Sequence, residues 1–222
     1  MFTYIYMGGT SPKTVEWKRA RTTAQVEERV KTIMTACETL LAQSPPQDLK
    51  MREIAKASDL AVGAIYRYFR CKELLILSVY LDKMQDLLDE LALFSSEDRR
   101  LETFAEHMAE VFVNHTFFWY LSTFAGTILE TNLSDDEVRD HKTSAMAMTS
   151  QCIERLVECV PEMTAEQMFD LFMDSFFYTC GLYPFAFPPE NIGAILEDPN
   201  LQGFRPSWES SVRRMLHRLL GV

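Results

Sequence analysis

Residues 52–75 read Arg-Glu-Ile-Ala-Lys-Ala-Ser-Asp-Leu-Ala-Val-Gly-Ala-Ile-Tyr-Arg-Tyr-Phe-Arg-Cys-Lys-Glu-Leu-Leu, and this segment contains the most specific pattern in the chain. Ser58 and Asp59 near its middle predict a tight turn, because small polar residues of this kind are typical of turns. Apolar residues at helical spacing flank the turn and predict two short helices that share a core. These residues are Ile54 and Ala55 before the turn, and Ile65 and Phe69 after it.

Longer helical patterns lie on both sides of this segment. From Lys72, apolar residues every three or four positions predict a helix that continues to about Phe94. An earlier helix is stopped by Pro45 and Pro46, because proline disfavours helix at the preceding residue and has no N–H to donate. Its apolar face consists of Val26, Val30, Ile33, Cys37, Leu40 and Leu41. The order of elements over 26–72 is that of a helix-turn-helix, whose second short helix lies in the major groove of DNA.

At these positions the sequence resembles the TetR family of transcriptional regulators. The residues that match the family pattern are Ile54, Ala55, Ala57, Gly63, Ile65, Tyr66, Tyr68, Phe69, Lys72, Glu73 and Leu75. The resemblance implies an N-terminal three-helix DNA-binding domain and a larger helical body that encloses an apolar ligand pocket. It also implies a homodimer that forms through the last two long helices of each chain.

The predicted DNA contacts lie on the second short helix and at the helix ends around it. Arg52 and Arg67 are candidates for base edges, because a guanidinium can pair with guanine through two hydrogen bonds. Tyr66 and Lys72 are candidates for phosphate contacts, which set register without reading sequence. The full set of candidates is Lys50, Arg52, Ala61, Val62, Gly63, Ala64, Tyr66, Arg67, Tyr68 and Lys72. The alternative for Tyr66, Lys72 and the two arginines is a solvated surface role.

Three residues depart from the family pattern. Ala61 stands where Ser or Thr is usual, so a side-chain cap and a phosphate contact are expected to be lost there. Asp59 stands in place of the turn glycine; it tolerates the left-handed conformation but adds negative charge near the DNA. Lys50 lies near the expected hydroxyl cap of the preceding helix and brings a compensating charge. A regulator whose head no longer binds DNA is therefore an open alternative.

The distribution of charge indicates a polyanionic partner for the N-terminal part of the chain. The 222 residues carry a net charge of −10, yet residues 1–72 carry +5 and the remainder carries −15. A basic head on an acidic body favours nucleic acid, and the alternative is that the acids merely keep an aromatic-rich body in solution. Residues 1–21 are interpreted as a flexible basic arm that reaches phosphates or a minor groove, or else as a solvated tail.

Cysteine and histidine patterns limit the classes of protein that fit. The five cysteines form no C-x-x-C pair, which argues against a disulfide framework or zinc ribbon and favours the cytoplasm. The histidines lack metal-binding spacing, and no catalytic residue, metal or other cofactor is predicted. No segment reaches the roughly 18–20 apolar residues of a membrane helix. The remaining enzymatic alternative is an all-helical enzyme that uses Glu130 with His107 or His115.

Beyond residue 72 the chain is predicted to be helical throughout, because no segment shows the period-two alternation of a strand. Helices are expected at 98–114, 117–131, 135–160 and 165–182, with a loop over 183–206 that allows one helical turn near Ile192–Leu196, and a last helix to the C-terminus. Capping boxes at Ser134-x-x-Glu137 and Thr164-x-x-Gln167 mark the third and fourth of these starts. The predicted all-α chain divides into the arm 1–21, a helix-turn-helix domain 22–72, and a ligand-binding and dimerisation domain 73–222.

Large apolar residues are unusually dense in the body, and most stripes of this kind are core. The helix at 165–182 is apolar over more than half its circumference, so it is expected to be buried between a ligand cavity and a partner subunit. Thr123, Thr127 and Glu130 fall on one helix face and are candidate polar anchors. The alternative is that both hydroxyls bond to their own helix while Glu130 faces solvent. The candidate ligand-binding residues are Phe104, Met108, Phe112, Phe124, Thr123, Thr127, Glu130, Met148, Phe172 and Phe176.

These patterns together predict a ligand-responsive transcriptional regulator, specifically a repressor. Its homodimer would bind a near-palindromic double-stranded operator with recognition helices about 34–36 Å apart. A small apolar or aromatic effector in the body would tilt the long helix that begins at Lys72. Such a tilt changes the spacing of the two heads and lowers operator affinity.

Overall fold

The computed structural model describes residues 23–95 and 100–222, and the predicted arm at 1–21 lies outside these residues. Every regular element in the described residues is helical and none is a strand, so the predicted all-α class is confirmed. The α-helices are α1 Thr23–Leu41, α2 Met51–Ala57, α3 Val62–Ile65, α4 Lys72–Leu91, α5 Leu101–Asn114, α6 Thr116–Phe124, α7 Asp135–Cys159, α8 Ala165–Ala186, α9 Glu190–Ile195 and α10 Trp208–Leu220. In the described parts of the chain, no helix has the length and apolar character to cross a lipid bilayer.

Helices α1, α2 and α3 form the N-terminal head. α1 packs against α2 and α4, and α2 packs against α3. Ile33, Ile54 and Ile65 are fully buried between them, as the apolar spacing predicted. The turn between α2 and α3 contains Asp59 at φ 53°, a left-handed conformation that Asp adopts more readily than most residues. Ser58 closes the preceding helix by donating its hydroxyl to the carbonyl of Ile54 at 2.8 Å.

Helix α4 joins the head to the body. Leu75 and Ile76 in its first two turns are fully buried, and so are Leu87 and Leu91 near its end. Its partners are α1 in the head and α5, α6 and α7 in the body. Helix α4 is therefore part of both the head and the body.

The body consists of α5 to α10 around the second half of α4. α10 packs on α5 and α8, while α8 also packs on α6 and α7. Both predicted capping boxes are present at helix starts. The amide of Gln167 donates to the Thr164 hydroxyl at 3.2 Å, and the Gln167 side chain accepts the Thr164 amide at 2.9 Å. These reciprocal bonds satisfy amides that the first turn leaves without partners.

The structure differs from the predicted elements at several places, among them α4, which ends at Leu91, and the following two. The expected helix over 117–131 changes type, because α6 ends at Phe124 and is followed by a π-helix at Ala125–Leu129 and a 3-10 helix at Glu130–Asn132. α8 continues beyond the expected end at 182 to Ala186, with Pro184 inside its last turn. Proline removes one amide donor and crowds the preceding turn, so in a sequence it usually indicates the end of a helix. In α8 the packing of the helix tolerates Pro184.

Candidate nucleic-acid interface and effector core

The second short helix presents an exposed face with the character expected of a groove-reading surface. Ile65 is fully buried and fixes α3 to the head, whereas Val62 and Tyr66 are 38% and 51% exposed. A Cβ added at Gly63 would meet nothing within 4 Å, so this part of the backbone is open to a close approach. Seven of the ten predicted DNA contacts are exposed, namely Lys50, Arg52, Ala61, Val62, Gly63, Tyr66 and Arg67. Ala64, Tyr68 and Lys72 are half-buried.

The two departures at helix starts leave α2 and α3 without a side-chain hydrogen bond at the N-cap. Ala61 occupies the N-cap of α3 and makes no side-chain cap hydrogen bond. Lys50 occupies the N-cap of α2, and its backbone amide donates to the Glu53 carboxylate at 3.1 Å. The lysine side chain has no hydrogen-bond acceptor, so it cannot accept the amide of Glu53. Only the other bond of a capping box, from the Lys50 amide to the Glu53 carboxylate, is possible there.

Lys72 has a structural role that the sequence did not indicate. Its ammonium donates to the backbone carbonyls of Pro46, Gln47 and Leu49 at 3.1, 2.9 and 3.1 Å. An ammonium has three donors, and all three are directed at these carbonyls. The geometry therefore shows Lys72 fastening the α1–α2 loop to the start of α4 and gives no support to a direct phosphate contact, which stays a prediction.

Arg70 makes a cross-domain contact that sequence reasoning missed. Its Nε and one terminal nitrogen donate to the two carboxylate oxygens of Glu137 at 2.9 and 2.6 Å. Glu137 also accepts the amide and the hydroxyl of Ser134 at the start of α7. The Arg70 guanidinium is the main reason that the pKa of Glu137 is lowered to about 2. Nothing in the sequence signals this pairing, because the two residues are 67 positions apart.

The predicted ligand pocket is not open in this structure. An apolar cavity at the centre of the body has a volume of about 10 Å³. That is the space of one water molecule, whereas small-molecule sites typically have about 300–1,000 Å³. The cavity is lined by Leu88, Leu91, Phe104, Met108, Thr149, Cys152, Ile153, Leu156, Met168 and Phe172. Three of the ten predicted ligand-binding residues are among them: Phe104, Met108 and Phe172.

Other predicted ligand-binding residues are used in the packing of the body. Phe112 contacts the rings of Trp119 and Phe172, with centroids 4.8 and 6.4 Å apart. Phe176 contacts Trp119 at 5.8 Å. Phe124 packs against Tyr120, and Met148 is 8% exposed. None of these four predicted residues lines the central cavity, and the aromatic density of the body is largely explained by core packing.

The three predicted polar anchors do not act as one face. The hydroxyls of Thr123 and Thr127 donate to the carbonyls of Tyr120 and Thr123 at 2.7 and 3.0 Å, which confirms the alternative of bonding to their own helix. Glu130 does not face solvent, since its side chain is 13% exposed and pairs with Lys142 at 2.6 Å. The π-helix between Thr123 and Glu130 widens the turn, so the spacing of a regular helix no longer applies.

Glu130 belongs to a buried polar cluster with His141 and Tyr80. His141 Nε2 lies 3.8 Å from Glu130 Oε1, and its ring packs on Tyr80 with centroids 5.6 Å apart. Burial lowers the pKa of His141 to about 4. Burial also raises the pKa of Tyr80 well above its ordinary value, although a hydrogen bond with Ser122 acts in the opposite direction. Both side chains are therefore neutral at pH 7. Glu130 Oε1 is paired with the Lys142 ammonium, whereas His141 Nδ1 has no hydrogen-bond partner. Unsatisfied buried groups of this kind are unusual and costly.

The histidines of the enzymatic alternative contact other groups. His107 Nε2 lies 3.1 Å from the Leu91 carbonyl, and His115 Nε2 lies 2.7 Å from the Glu90 carboxylate. In the described residues no three His, Cys, Asp or Glu side chains come together as metal ligands would. Cys152 is buried, its Sγ lies 3.4 Å from the Leu88 carbonyl, and burial raises the pKa of its thiol to about 12.

Helix α8 has a buried side, which is mainly apolar, and an exposed aromatic side. Ser175 and Thr179 are fully buried, whereas Phe177, Tyr178 and Phe185 are 62%, 43% and 60% exposed. Contiguous exposed aromatic residues are typical of an interface rather than of a solvated surface. Most apolar residues of α10 are buried, Leu219 is 44% exposed, and the other exposed residues of α10 are polar. In the single chain, α8 is therefore buried on one side only.

Two family descriptions match the sequence and together cover most of it. Residues 33–79 match bacterial regulatory proteins of the tetR family. Residues 79–221 match the tetracyclin repressor-like C-terminal domain. A comparison with curated protein sequences finds no significant match.

Several solved structures share this fold. A TetR transcriptional regulator from Rhodococcus sp. RHA1 is 18% identical with a TM-score of 0.56, over 87% of this chain and 96% of that one. The fatty acid degradation regulator FadR from Bacillus halodurans is 15% identical with a TM-score of 0.55, over 91% and 97%. A single-residue variant of TetR from Acinetobacter baumannii AYE, in complex with minocycline, is 13% identical with a TM-score of 0.56, over 91% and 96%. At these identities the similarity is one of fold.

Proposed function

The chain belongs to the TetR family of bacterial transcriptional regulators, and from this membership we propose that it is a ligand-responsive repressor. A homodimer would bind a near-palindromic operator and release it when a small apolar or aromatic effector enters the body. The observation that carries the proposal is the exposed face of the head. There Gly63, Tyr66 and Arg67 are open to solvent beside a recognition helix that Ile65 anchors.

The charge of the head supports binding to DNA. Of the five excess positive charges in residues 1–72, three come from residues 1–21 and the rest from the head itself. Arg52 and Arg67 are exposed and are proposed to read base edges, while Tyr66 is proposed to contact phosphate. We place the end of this DNA-binding domain at residue 72, at the start of α4. The proposed compartment is the cytoplasm, where the operator is.

The effector is proposed to enlarge the small central cavity. Residues from α4, α5, α7 and α8 line it, so an effector of ordinary size would have to separate these helices. Because α4 is one wall and also supports the head, the separation would change the head's position. Glu130 is kept as a polar anchor because its side chain is only 13% exposed and lies beside the neutral His141, while Lys142 pairs with it from the surface. Thr123 and Thr127 lose support as anchors, since their hydroxyls bond to their own helix.

The homodimer is proposed to form through α8 and α10, the last two long helices. The exposed Phe177, Tyr178 and Phe185 of α8 would form the apolar centre of the interface. Exposed charged residues of α10, such as Arg214 and Arg218, would form its polar rim. Two copies related by a two-fold axis bring the same patch together from each subunit.

The test is an anisotropy titration of the full chain with fluorescent DNA from its own promoter region, repeated at low and at physiological salt. Affinity should fall steeply with salt, with a log–log slope of about −0.9 for each neutralised phosphate. A shuffled DNA of the same length controls for sequence preference. No binding to any fragment at low salt would overturn the proposal. It would favour the alternative of a dimerising regulator whose head, with Ala61 and Asp59, no longer binds DNA.

A further inference from the structure

The contact between Arg70 and Glu137 joins the head to the body at a second place besides the continuous α4. Both carboxylate oxygens are engaged by two nitrogens of one guanidinium. Isolated surface ion pairs contribute little, but a bidentate arginine–carboxylate pair fixes direction as well as distance. The Glu137 side chain is 23% exposed and the Arg70 side chain is 60% exposed, so only the carboxylate is partly shielded from water.

On the head side, this contact is coupled closely to the recognition helix. Arg70 lies in the short connection between α3 and α4, shortly after Arg67. The adjacent Phe69 is 7% exposed and anchors the connection in the core. The amides of Tyr68 and Phe69 donate to the Ile65 carbonyl at 2.8 and 3.0 Å. A restraint on Arg70 therefore restrains the orientation of α3.

On the body side, Glu137 is held by the start of α7. Its carboxylate accepts the Ser134 amide at 2.9 Å and the Ser134 hydroxyl at 2.8 Å, so the side chain has little freedom. α7 packs against α4 and α8 and also lines the central cavity. His141, one turn later on α7, belongs to the buried cluster with Glu130 and Tyr80. Any movement of α7 is therefore delivered to Arg70.

We propose that Glu137 is a positioning residue that holds Arg70 and thereby fixes the angle of the recognition helix to the body. A head attached only through α4 can pivot about that helix, whereas a second attachment removes the pivot. In a dimer the angle of each head sets the distance between the two recognition helices, and so the operator spacing that the protein accepts. This inference rests on the proposed function, because it assigns to Glu137 the selection of operator spacing by that DNA-binding dimer.

The experiment compares wild type with Glu137→Gln on the native operator and on the same operator with one base pair added at its centre. One base pair moves the half-sites apart by about 3.4 Å and rotates them by about 35°. Wild type should discriminate strongly between the two. In Glu137→Gln the ratio of the two dissociation constants should fall by about 2- to 30-fold, the range by which single substitutions alter coupling. Asp136→Asn, which neutralises an exposed acid in the same turn, is the matched control and should keep the wild-type ratio.

A different result would mean that Glu137 affects DNA binding only through its negative charge. If Glu137→Gln tightens binding to both DNAs equally, as Asp136→Asn would, its effect is electrostatic and the proposal is overturned. Amide hydrogen exchange of the full chain supplies a readout that needs no DNA. Glu137→Gln should speed amide exchange over residues 62–71 and leave exchange in α10 unchanged. Equal exchange in wild type and Glu137→Gln would also overturn the proposal. Failure of wild type to bind any DNA, with the exchange effect present, would instead refute the repressor function alone.

Discussion

The Lys72 ammonium donates a hydrogen bond to the Leu49 carbonyl at 3.1 Å, across 23 residues of chain. With its two further bonds to Pro46 and Gln47, it fastens the α1–α2 loop to the first turn of α4. The chain after the loop enters α2 and then the recognition helix. This lysine therefore helps to set the position of α2 and α3.

Lys72→Met should lower the free energy of unfolding by about 1.5–3 kcal/mol, because three carbonyls lose a charged donor. Urea unfolding at pH 7 measures the difference. Lys56→Met removes an exposed lysine from α2 and should change stability by less than about 0.5 kcal/mol. If Lys72 also neutralises a phosphate, the same substitution would flatten the salt slope of DNA binding by about 0.9. Equal stability of Lys72→Met and wild type would contradict the structural role.

Arg67→Ala should weaken binding to the operator and reduce the preference for one base pair by about 1–3 kcal/mol, because a guanidinium pairs specifically with guanine. Tyr66→Phe should instead weaken all sequences alike, since its hydroxyl is expected on phosphate. The measurement is anisotropy against the operator and its single-base-pair variants. If Arg67→Ala keeps the base-pair preferences of wild type, Arg67 does not read base edges. Arg52 is then the remaining candidate for that role.

His141→Phe should remove a pH dependence of stability. The buried ring, which faces Tyr80, Glu130 and Lys142, has a pKa of about 4 in the fold against an ordinary value of 6.5. As the pH falls from about 6.5 to 4, the histidine of the unfolded chain binds a proton, whereas the buried ring of the folded chain stays neutral. The free energy of unfolding of wild type therefore falls by about 3 kcal/mol. Urea unfolding at pH 7.5 and 5 should show the variant losing less than wild type. An equal loss in both would mean that His141 titrates normally.

Phe177→Glu should dissociate the dimer, because it places a charge in the centre of the proposed α8 interface. Loss of such a central aromatic typically costs at least about 2 kcal/mol, which raises the dissociation constant about 30-fold. Sedimentation velocity follows the change from twice the 25.7 kDa chain mass to the single mass. Leu93→Glu alters a residue that is 74% exposed at the end of α4 and serves as the control. If wild type sediments as a monomer, the proposed interface is wrong.

Local patterns were sufficient to predict much of the fold. The capping boxes at Ser134 and Thr164 and the left-handed turn at Asp59 depend on residues within a few positions of one another, so the sequence contains their whole cause. The π-helix at Ala125–Leu129 was missed, because a regular period was assumed through it. The predicted end of α8 was too early, since packing tolerates Pro184 in the last turn.

The candidate site was predictable on the head and much less so in the body. On the head, one short helix presents its own exposed face, and helical spacing alone separates Ile65 from Tyr66 and Arg67. The lining of a cavity depends on how four helices meet, which is why only Phe104, Met108 and Phe172 of the predicted ligand-binding residues line the cavity. Glu130 was expected to point into an open pocket or into solvent, and it lies instead among Lys142, His141 and Tyr80.

The sequence by itself determined the helical elements, their caps and the family of this protein, because each follows from residues close together along the chain. The tertiary structure alone decided which distant groups meet. It directed Lys72 to three carbonyls, paired Arg70 with Glu137, closed the core around a cavity the size of one water, and left one side of α8 exposed. Such pairings depend on how helices pack in three dimensions, and local spacing carries no record of that arrangement.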